Sequence, residues 1–186
     1  MTIGGKLGLA SGTNILLVLI LAGLSYLTVS QLRGLQDEGA IRALDAVTVT
    51  GASAAGAELY QIIADGVINR DLDATAKDWA EKKQSVEAAF AKIDGIVDTD
   101  AERANLQEAK DGYQTLVKAF ETEMLPLLKA DSGVGDAVRA VDDKLDGAAA
   151  KLAEGLLAIR ASIDAQSAEH DALFDQTGAR NAWIGI

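Results

Sequence analysis

The candidates for ligand binding in this sequence share a polar side chain and a predicted position toward one end of a helical domain. They are Tyr60, Asn69, Arg70 and Arg139. A guanidinium group presents five N–H donors in a planar fork that matches a carboxylate. The two arginines therefore favour a small organic anion, such as an organic acid or an amino acid. The alternative is that they form ordinary salt bridges with the neighbouring Asp71 and Asp136.

Other polar residues give no catalytic or metal-binding pattern. Carboxylates such as Glu102, Glu108 and Asp111 recur at helical spacing, which is typical of a solvated face. The pairs Asp142-Asp143 and Asp98-Thr99-Asp100 lack the alternating acids and the closing Glu of a calcium loop. A single histidine, His170, is more typical of a packed or solvated residue than of a ligand. We predict a protein that is not an enzyme, without cofactor or metal.

Composition narrows the class of protein further. The net charge of −11 argues against nucleic-acid binding, which needs a basic face to neutralise phosphates. Because there is no Cys, disulfides and zinc–thiolate sites are excluded. Aromatic residues make up only 4% and Pro126 is the only proline. A core of Ala, Leu, Val and Ile with so few turn residues favours packed helices over a sandwich or barrel.

The stretch Leu7–Leu32 precedes the predicted helical domain and would anchor it to a membrane. It holds 26 residues without a charge, and about 20 helical residues cross a hydrocarbon core of about 30 Å. We read it as an uncleaved transmembrane helix. A cleaved signal peptide is the main alternative, but only Lys6 is basic before it and no Ala-x-Ala site follows. A buried core helix is less favoured, since the run is apolar on all faces.

Three breaks divide the rest of the chain into four predicted helices. The breaks are at 69–73, 98–100 and 131–133, where Asp, Asn, Ser, Thr and Gly favour helix ends. The predicted helices run from the membrane span to about Ile68, from about Ala74 to Val97, from about Ala101 to Lys129, and from about Val134 to the end.

Apolar residues recur every seven positions in these helices. The series are Trp79, Val86 and Ile93, with Lys83, Phe90 and Val97 interleaved; Leu106, Tyr113, Phe120 and Leu127, with Ala109, Leu116 or Val117, and Met124; and Val138, Leu145, Leu152 and Ile159, with Val141, Ala148 and Gly155. Such spacing is typical of helices that cross at about 20°.

In the first helix, Leu35, Ile41, Leu44 and Val47 predict an apolar stripe. The small residues 50–57 fit either a narrow core seam or a contact between two subunits.

The predicted fold is all-α: an up-down-up-down antiparallel four-helix bundle preceded by a transmembrane helix. Residues 1–6 would be a cytoplasmic tail, 7–32 the membrane span, 33–180 a periplasmic sensor domain, and 181–186 the start of a second, truncated transmembrane helix. Trp183 and Tyr26 suit the interfacial aromatic belt. The short basic tail favours a cytoplasmic amino terminus, which sends the acidic region across the membrane. An apolar carboxyl-terminal tail is the alternative for residues 183–186.

This layout resembles the N-terminal part of a bacterial methyl-accepting chemotaxis protein with a four-helix-bundle sensor domain. The resemblance lies in the tail ending at Lys6, the anchor ILLVLILAGLSYL, the heptads of the second and third helices, and the ending RNAWIGI. It implies a homodimer through the outer helices, in the bacterial inner membrane. It also implies a ligand near the membrane-distal end, and a last helix that transmits the signal across the membrane to a cytoplasmic kinase-control module.

Two other interpretations stay open. Sensor histidine kinases and diguanylate cyclases use similar input domains, and sequence beyond Ile186 would distinguish them from a chemoreceptor. A membrane-anchored structural bundle without a ligand differs in class, and it predicts that the natural chain ends close to Ile186.

Overall fold

The computed structural model describes residues 3–130 and 135–184, with side chains over 12–130 and 135–180. Every regular element in this range is helical, which confirms the all-α prediction for the described residues. The elements are α1 (Ile3–Ser53), α2 (Ala55–Asn69), α3 (Leu72–Asp94), α4 (Asp100–Ala119), a π-helical segment (Phe120–Met124), α5 (Leu125–Lys129) and α6 (Asp136–Ile184).

The chain divides into two compact units. One comprises residues 1–42 and 165–186, and the other comprises Ala43–Asp164. In the first unit, α1 and α6 lie side by side, and His170 Nδ1 is 3.4 Å from Glu38 Oε2. The second unit holds the hydrophobic core together with α2, α3, α4, the π-helical segment and α5.

The first half of α1 is long and apolar enough to cross a membrane. Its most apolar window has a mean hydropathy of 2.1 and no buried residues, and it is the one such helix among the described residues. Ile15, Val18 and Leu19 are each more than 60% exposed. A core helix would bury such side chains, so this length and composition fit a span, although a signal sequence passes the same test. The predicted start of a second span, at residues 181–186, lies outside the range in which side chains are described.

The second half of α1 buries a different face from the one that the sequence predicted. Ile41, Leu44 and Val47 are 59%, 67% and 67% exposed, and the buried positions are Ala46, Val49 and Ala52. The predicted stripe is therefore wrong as a core stripe. Small side chains face the core because a close approach of helices needs them there, and the larger apolar side chains remain outside.

The helix predicted to run to Ile68 is divided at Ala54. This residue has φ −75° and ψ −11°, and α2 begins immediately after it. Hydroxyl groups just before the break bond to backbone carbonyls, from Thr50 Oγ1 to Ala46 O at 2.7 Å and from Ser53 Oγ to Thr50 O at 2.8 Å. Such bonds compete with regular helix bonding, which the pattern of small residues did not predict.

Two of the three predicted breaks are confirmed, at Arg70-Asp71 and before α4; the third, at 131–133, lies outside the described residues.

Before α4, Thr99 and Glu102 form a reciprocal capping box. Glu102 Oε2 accepts the backbone N–H of Asp98 at 3.1 Å and that of Thr99 at 3.2 Å. Glu102 is fully buried, so its prediction as a solvated residue is wrong. Its carboxylate is buried because it satisfies backbone donors at the helix start.

The π-helical segment shifts the heptad register by one residue. Leu116, Phe120 and Met124 are buried as predicted, but Met124 follows Leu116 by eight residues, and the next buried position, Leu128, follows Phe120 by eight. Leu127, predicted to be in the core, is only partly buried. A π-helical turn accommodates one extra residue, and Pro126, which lacks an N–H, follows directly. The helix predicted from Ala101 to Lys129 is therefore α4, the π-helical segment and α5 in succession.

Helices of the second unit meet in antiparallel pairs, of which two are very close. A methyl group built on Gly56 of α2 would lie 2.6 Å from Ala149 O of α6. One built on Gly112 of α4 would lie 2.7 Å from Leu152 N of α6. Glycine is therefore required at both positions. Ala52, Ala55 and Gly56 are buried, so these small residues form a core seam within the chain, as one of the two interpretations predicted.

The contact between α3 and α4 is built from larger side chains. The rings of Trp79 and Phe120 are 4.4 Å apart, and those of Phe90 and Tyr113 are 5.5 Å apart. Half of the eight aromatic residues of the chain therefore meet where α3 packs against α4 and the π-helical segment that follows it. Phe90 and Tyr113 also line a groove on the outer side of α3 and α4.

Candidate functional site

Tyr60 on α2 is hydrogen-bonded to α6. Its hydroxyl donates to Asp142 Oδ1 at 2.9 Å, and the side chain is half-buried. Burial and this carboxylate, together with Asp146 and Asp143, raise the pKa of the Tyr60 hydroxyl to about 12. The hydroxyl therefore stays protonated, and its hydrogen bond already joins two helices of the chain.

Asn69 and Arg70 end α2. Asn69 Nδ2 donates to Asp65 Oδ1 at 2.6 Å. Arg70 caps the helix in the left-handed region, at φ 58°, and its side chain donates to Val67 O at 3.1 Å and to Leu128 O at 3.3 Å. Neither contact is the salt bridge to Asp71 that the sequence offered as an alternative. These bonds connect the α2–α3 turn with the end of α5.

Arg139 pairs with Asp136 one turn earlier in α6, with Nη1 3.5 Å from Oδ1, and its side chain is 69% exposed. This is the ordinary ion pair that the sequence offered as its alternative. Tyr60 lies about 15 Å along α2 from Arg70, at 1.5 Å of rise per residue. The contacts of the four candidates join each of them to other residues, and none joins one candidate to another.

A groove between α3 and α4, here called the α3–α4 groove, is bounded by residues 83–94 and 110–122. Its volume is about 650 Å³, within the range of about 300–1,000 Å³ that small-molecule sites occupy. Two cross-helix ion pairs close its ends: Lys110 Nζ lies 2.7 Å from Asp94 Oδ1, and Lys83 Nζ lies 2.7 Å from Glu121 Oε1. These ends are about 16 Å apart along α3.

The middle of the α3–α4 groove combines an apolar floor with a polar rim. Phe90 and Tyr113 are buried beneath it, and Val117 is partly buried. On the rim, Tyr113 OH donates to Glu87 Oε1 at 3.0 Å. Burial and this hydrogen bond raise the pKa of the Tyr113 hydroxyl above its ordinary value. A protonated donor is therefore fixed at the boundary between floor and rim.

Glu121 belongs both to the α3–α4 groove and to the π-helical segment. Its Oε1 accepts Trp79 Nε1–H at 3.0 Å as well as Lys83. Partial burial acts to raise the pKa of Glu121, but the hydrogen bonds from Lys83 and Trp79 outweigh it and lower this pKa below its usual value. The carboxylate is therefore charged at neutral pH and holds one end of the groove closed.

A second groove lies between α2 and α3 and differs in charge. Its volume is about 500 Å³. Four carboxylates line it, from Glu58, Asp65, Asp78 and Glu81, whereas Lys82 is the one cation in its lining and pairs with Glu58. This excess of acid does not suit the organic anion that the sequence suggested.

Sequence reasoning missed the α3–α4 groove. It assigned Phe90, Tyr113 and Lys83 to heptad positions, as core residues, and did not consider the outer face that they share. A signal was present, because residues 110–122 place lysines beside the apolar heptad positions. Among the described residues, no group of three His, Asp or Glu side chains is arranged to hold a metal ion.

No protein-family model, curated protein or solved structure matches this chain. The function is therefore argued from its own residues.

Proposed function

We propose that this chain is the sensory input region of a transmembrane chemoreceptor of the methyl-accepting chemotaxis type. The observation that carries the proposal is the order of its elements. One membrane-length apolar helix comes first, helices that pack in antiparallel pairs follow, and the long α6 ends the chain. In such a receptor the paired helices detect a signal outside the cytoplasm, and α6 carries it through the membrane to a kinase-control module.

Pairwise contacts support an up-down-up-down four-helix bundle over the second unit. Contacts join α2 to α3 through Gly66 and Thr75, and α3 to α4 through Phe90 and Tyr113. The close approaches of Gly112 and Gly56 then join α4 and α2 to α6. Four helices that each contact two neighbours form a closed ring, which is the arrangement of a four-helix bundle.

The outer face of α1 supports a homodimer. Leu44 and Val47 are each 67% exposed, and the small residues Gly51 and Ala54 continue this exposed face. Exposed apolar side chains next to small residues allow two helices to approach closely. A second copy of α1 is a self-complementary partner for such a surface in a twofold dimer.

The proposed location is the bacterial inner membrane, with residues 33–180 in the periplasm. The absence of Cys fits an exported domain and supplies a clean background for labelling. A Lys77→Cys variant is expected to react with a membrane-impermeant maleimide added to spheroplasts. A Thr2→Cys variant is expected to react only after lysis. The reverse pattern would contradict the proposed orientation.

A hybrid receptor tests the sensory function. Residues 1–186 are fused to the cytoplasmic half of a well-characterised chemoreceptor, and kinase activity is measured in membranes during addition of organic acids and amino acids. At least one compound is expected to change kinase activity. A hybrid that controls the kinase constitutively but responds to nothing in the panel would favour the ligand-free structural alternative. A kinase or cyclase domain encoded after Ile186 would replace the chemoreceptor by one of the other sensor classes.

A further inference from the structure

We propose that the α3–α4 groove binds a small organic carboxylate with an apolar body, with Lys118 as the anchor of the carboxylate. The inference rests on the proposed sensory function, and it differs from the distal site that the sequence suggested. The site lies within one chain, on the outer side of two helices.

The position of Lys118 favours an anion at one place in the groove. The lining as a whole carries three lysines and three carboxylates, and the third carboxylate, Glu87, accepts the Tyr113 hydroxyl. Of its three lysines, Lys83 and Lys110 are held by the ion pairs at the two ends. Lys118 lies between these ends and forms no ion pair with any described residue. A lysine ammonium with no carboxylate partner, beside a groove of this volume, is complementary to one negative charge.

Neighbouring polar groups complete the anchor. Gln114 and Thr122 lie one turn before and one turn after Lys118 on the same face of the chain, and both line the groove. The Thr122 hydroxyl donates to Lys118 O at 2.7 Å, whereas the Gln114 amide is exposed. The amide therefore supplies a second donor for the carboxylate, one turn from the ammonium.

The floor of the groove selects the rest of the ligand. Phe90, Tyr113 and Val117 present apolar surface, and Ala91 on the α3 side leaves the space above them open. An aromatic ring or a short alkyl chain would cover this surface. Burial of such a group stabilises binding in proportion to the apolar area removed from water. A bare anion would gain nothing from this floor.

The test uses the full chain in detergent micelles, with phenylacetate and hexanoate as probes and isothermal titration calorimetry as the measurement. Benzyl alcohol, which lacks the carboxylate, and acetate, which lacks the apolar body, are the control compounds. Saturable binding of one or both probes at millimolar concentrations is expected, with neither control compound binding. No binding of either probe, or equal binding of acetate, would overturn the proposal.

Five variants locate the site. Lys118→Gln is expected to weaken binding about tenfold or more, since a charge-assisted hydrogen bond is lost, whereas Lys118→Arg restores most of it. Lys77→Gln removes the same charge from the exposed face of α3 outside the groove, and is expected to leave binding unchanged. Ala91→Phe fills the groove and abolishes binding, whereas Ala80→Phe adds the same ring elsewhere on α3 without effect.

The results separate this inference from the proposed function. If the probes bind the wild-type chain and the Lys118→Gln and Ala91→Phe variants equally, the groove is not the site. If the hybrid receptor responds to a compound while Lys118→Gln and Ala91→Phe leave that response unchanged, sensing stands and the groove fails. If the probes bind in a Lys118-dependent way and the hybrid never responds, the groove stands and the sensory function fails.

Discussion

The indole N–H of Trp79 donates to Oε1 of Glu121 at 3.0 Å, and this bond attaches the first half of α3 to the π-helical segment. The same oxygen accepts Lys83 at 2.7 Å. The next acidic residue of the segment, Glu123, pairs instead with Lys144 on α6. Five residues of non-standard helix therefore connect the α3–α4 groove with the helix proposed to carry the signal. A change in this segment would therefore affect both the α3–α4 groove and α6.

Replacement of Glu121 by alanine is expected to destabilise the protein by about 2 kcal/mol. The buried indole N–H of Trp79 would lose its acceptor, and an unsatisfied buried donor costs about 1–3 kcal/mol. Urea denaturation followed by circular dichroism measures the effect. Glu108→Ala is the control, because the Lys151–Glu108 pair is exposed and 3.9 Å long, and its loss is expected to cost less than about 1 kcal/mol. Equal losses for the two variants would contradict the assigned role of Glu121.

Acid is expected to remove the charge contribution of Glu121. Its pKa in the folded protein is lowered from the ordinary value of 4.5, so the ionised form stabilises the fold above pH 4.5. That stabilisation is lost as the pH falls through the lower folded value. Glu121→Gln keeps an acceptor for Trp79 but removes the charge. The difference in unfolding free energy between wild type and this variant, measured by urea titration from pH 7 to about 3, should therefore shrink on acidification. A difference that stays constant would show that the charge is not involved.

The close approach of α4 and α6 predicts opposite effects at two glycines. A methyl group on Gly112 would lie 2.7 Å from Leu152 N and 3.0 Å from Ala148 O. Because both are backbone atoms, Gly112→Ala must separate the helices, at a cost of at least about 2 kcal/mol. Gly147→Ala meets nothing within 4 Å and is expected to gain up to about 1 kcal/mol from helix propensity. Thermal unfolding of both variants measures this, and a stabilised Gly112→Ala would contradict the packing.

The capping box before α4 predicts that loss of the Thr99 hydroxyl destabilises the protein, whereas loss of the Thr115 hydroxyl does not. Thr99→Ala removes the acceptor of the Glu102 N–H, 3.1 Å away, and is expected to cost about 1 kcal/mol. Thr115→Ala removes a hydroxyl that bonds only within its own helix, to Asp111 O, and is expected to be neutral or slightly stabilising. Urea titration compares them. A neutral Thr99→Ala would mean that the cap contributes little.

Heptad spacing was enough to predict which side chains form the core where helices are regular. Val138, Leu145, Leu152 and Ile159 are buried as predicted, because one seven-residue period holds along α6. The same reasoning failed on α1, where Ile41 is exposed. Hydrophobicity alone does not distinguish a face that packs within the chain from one left for another partner, since both are apolar.

The candidate site was harder to predict than the core, for a physical reason. Arg70 was selected for its guanidinium, but its position after the last turn of α2 makes it the helix cap, and nearby carbonyls accept its donors. The α3–α4 groove depends on which residues of two antiparallel helices stand opposite one another. Lys110 and Asp94 are sixteen residues apart and stand opposite one another. This opposition depends on the length of the α3–α4 turn, which the residues at 98–100 do not determine.

The π-helical segment predicts that one residue can be removed there but not within α4. Deletion of Thr122 together with Pro126→Ala restores seven-residue spacing from Phe120 to Leu128, and permits α-helical bonding through the site. This variant is expected to stay within about 1 kcal/mol of wild type. Deletion of the equally exposed Thr115 rotates the core positions after it, and is expected to cost at least about 3 kcal/mol. Circular dichroism and urea titration compare the two deletions. If both unfold the protein equally, the extra residue has a structural role beyond the register, and the link from groove to α6 requires the π-helical turn itself.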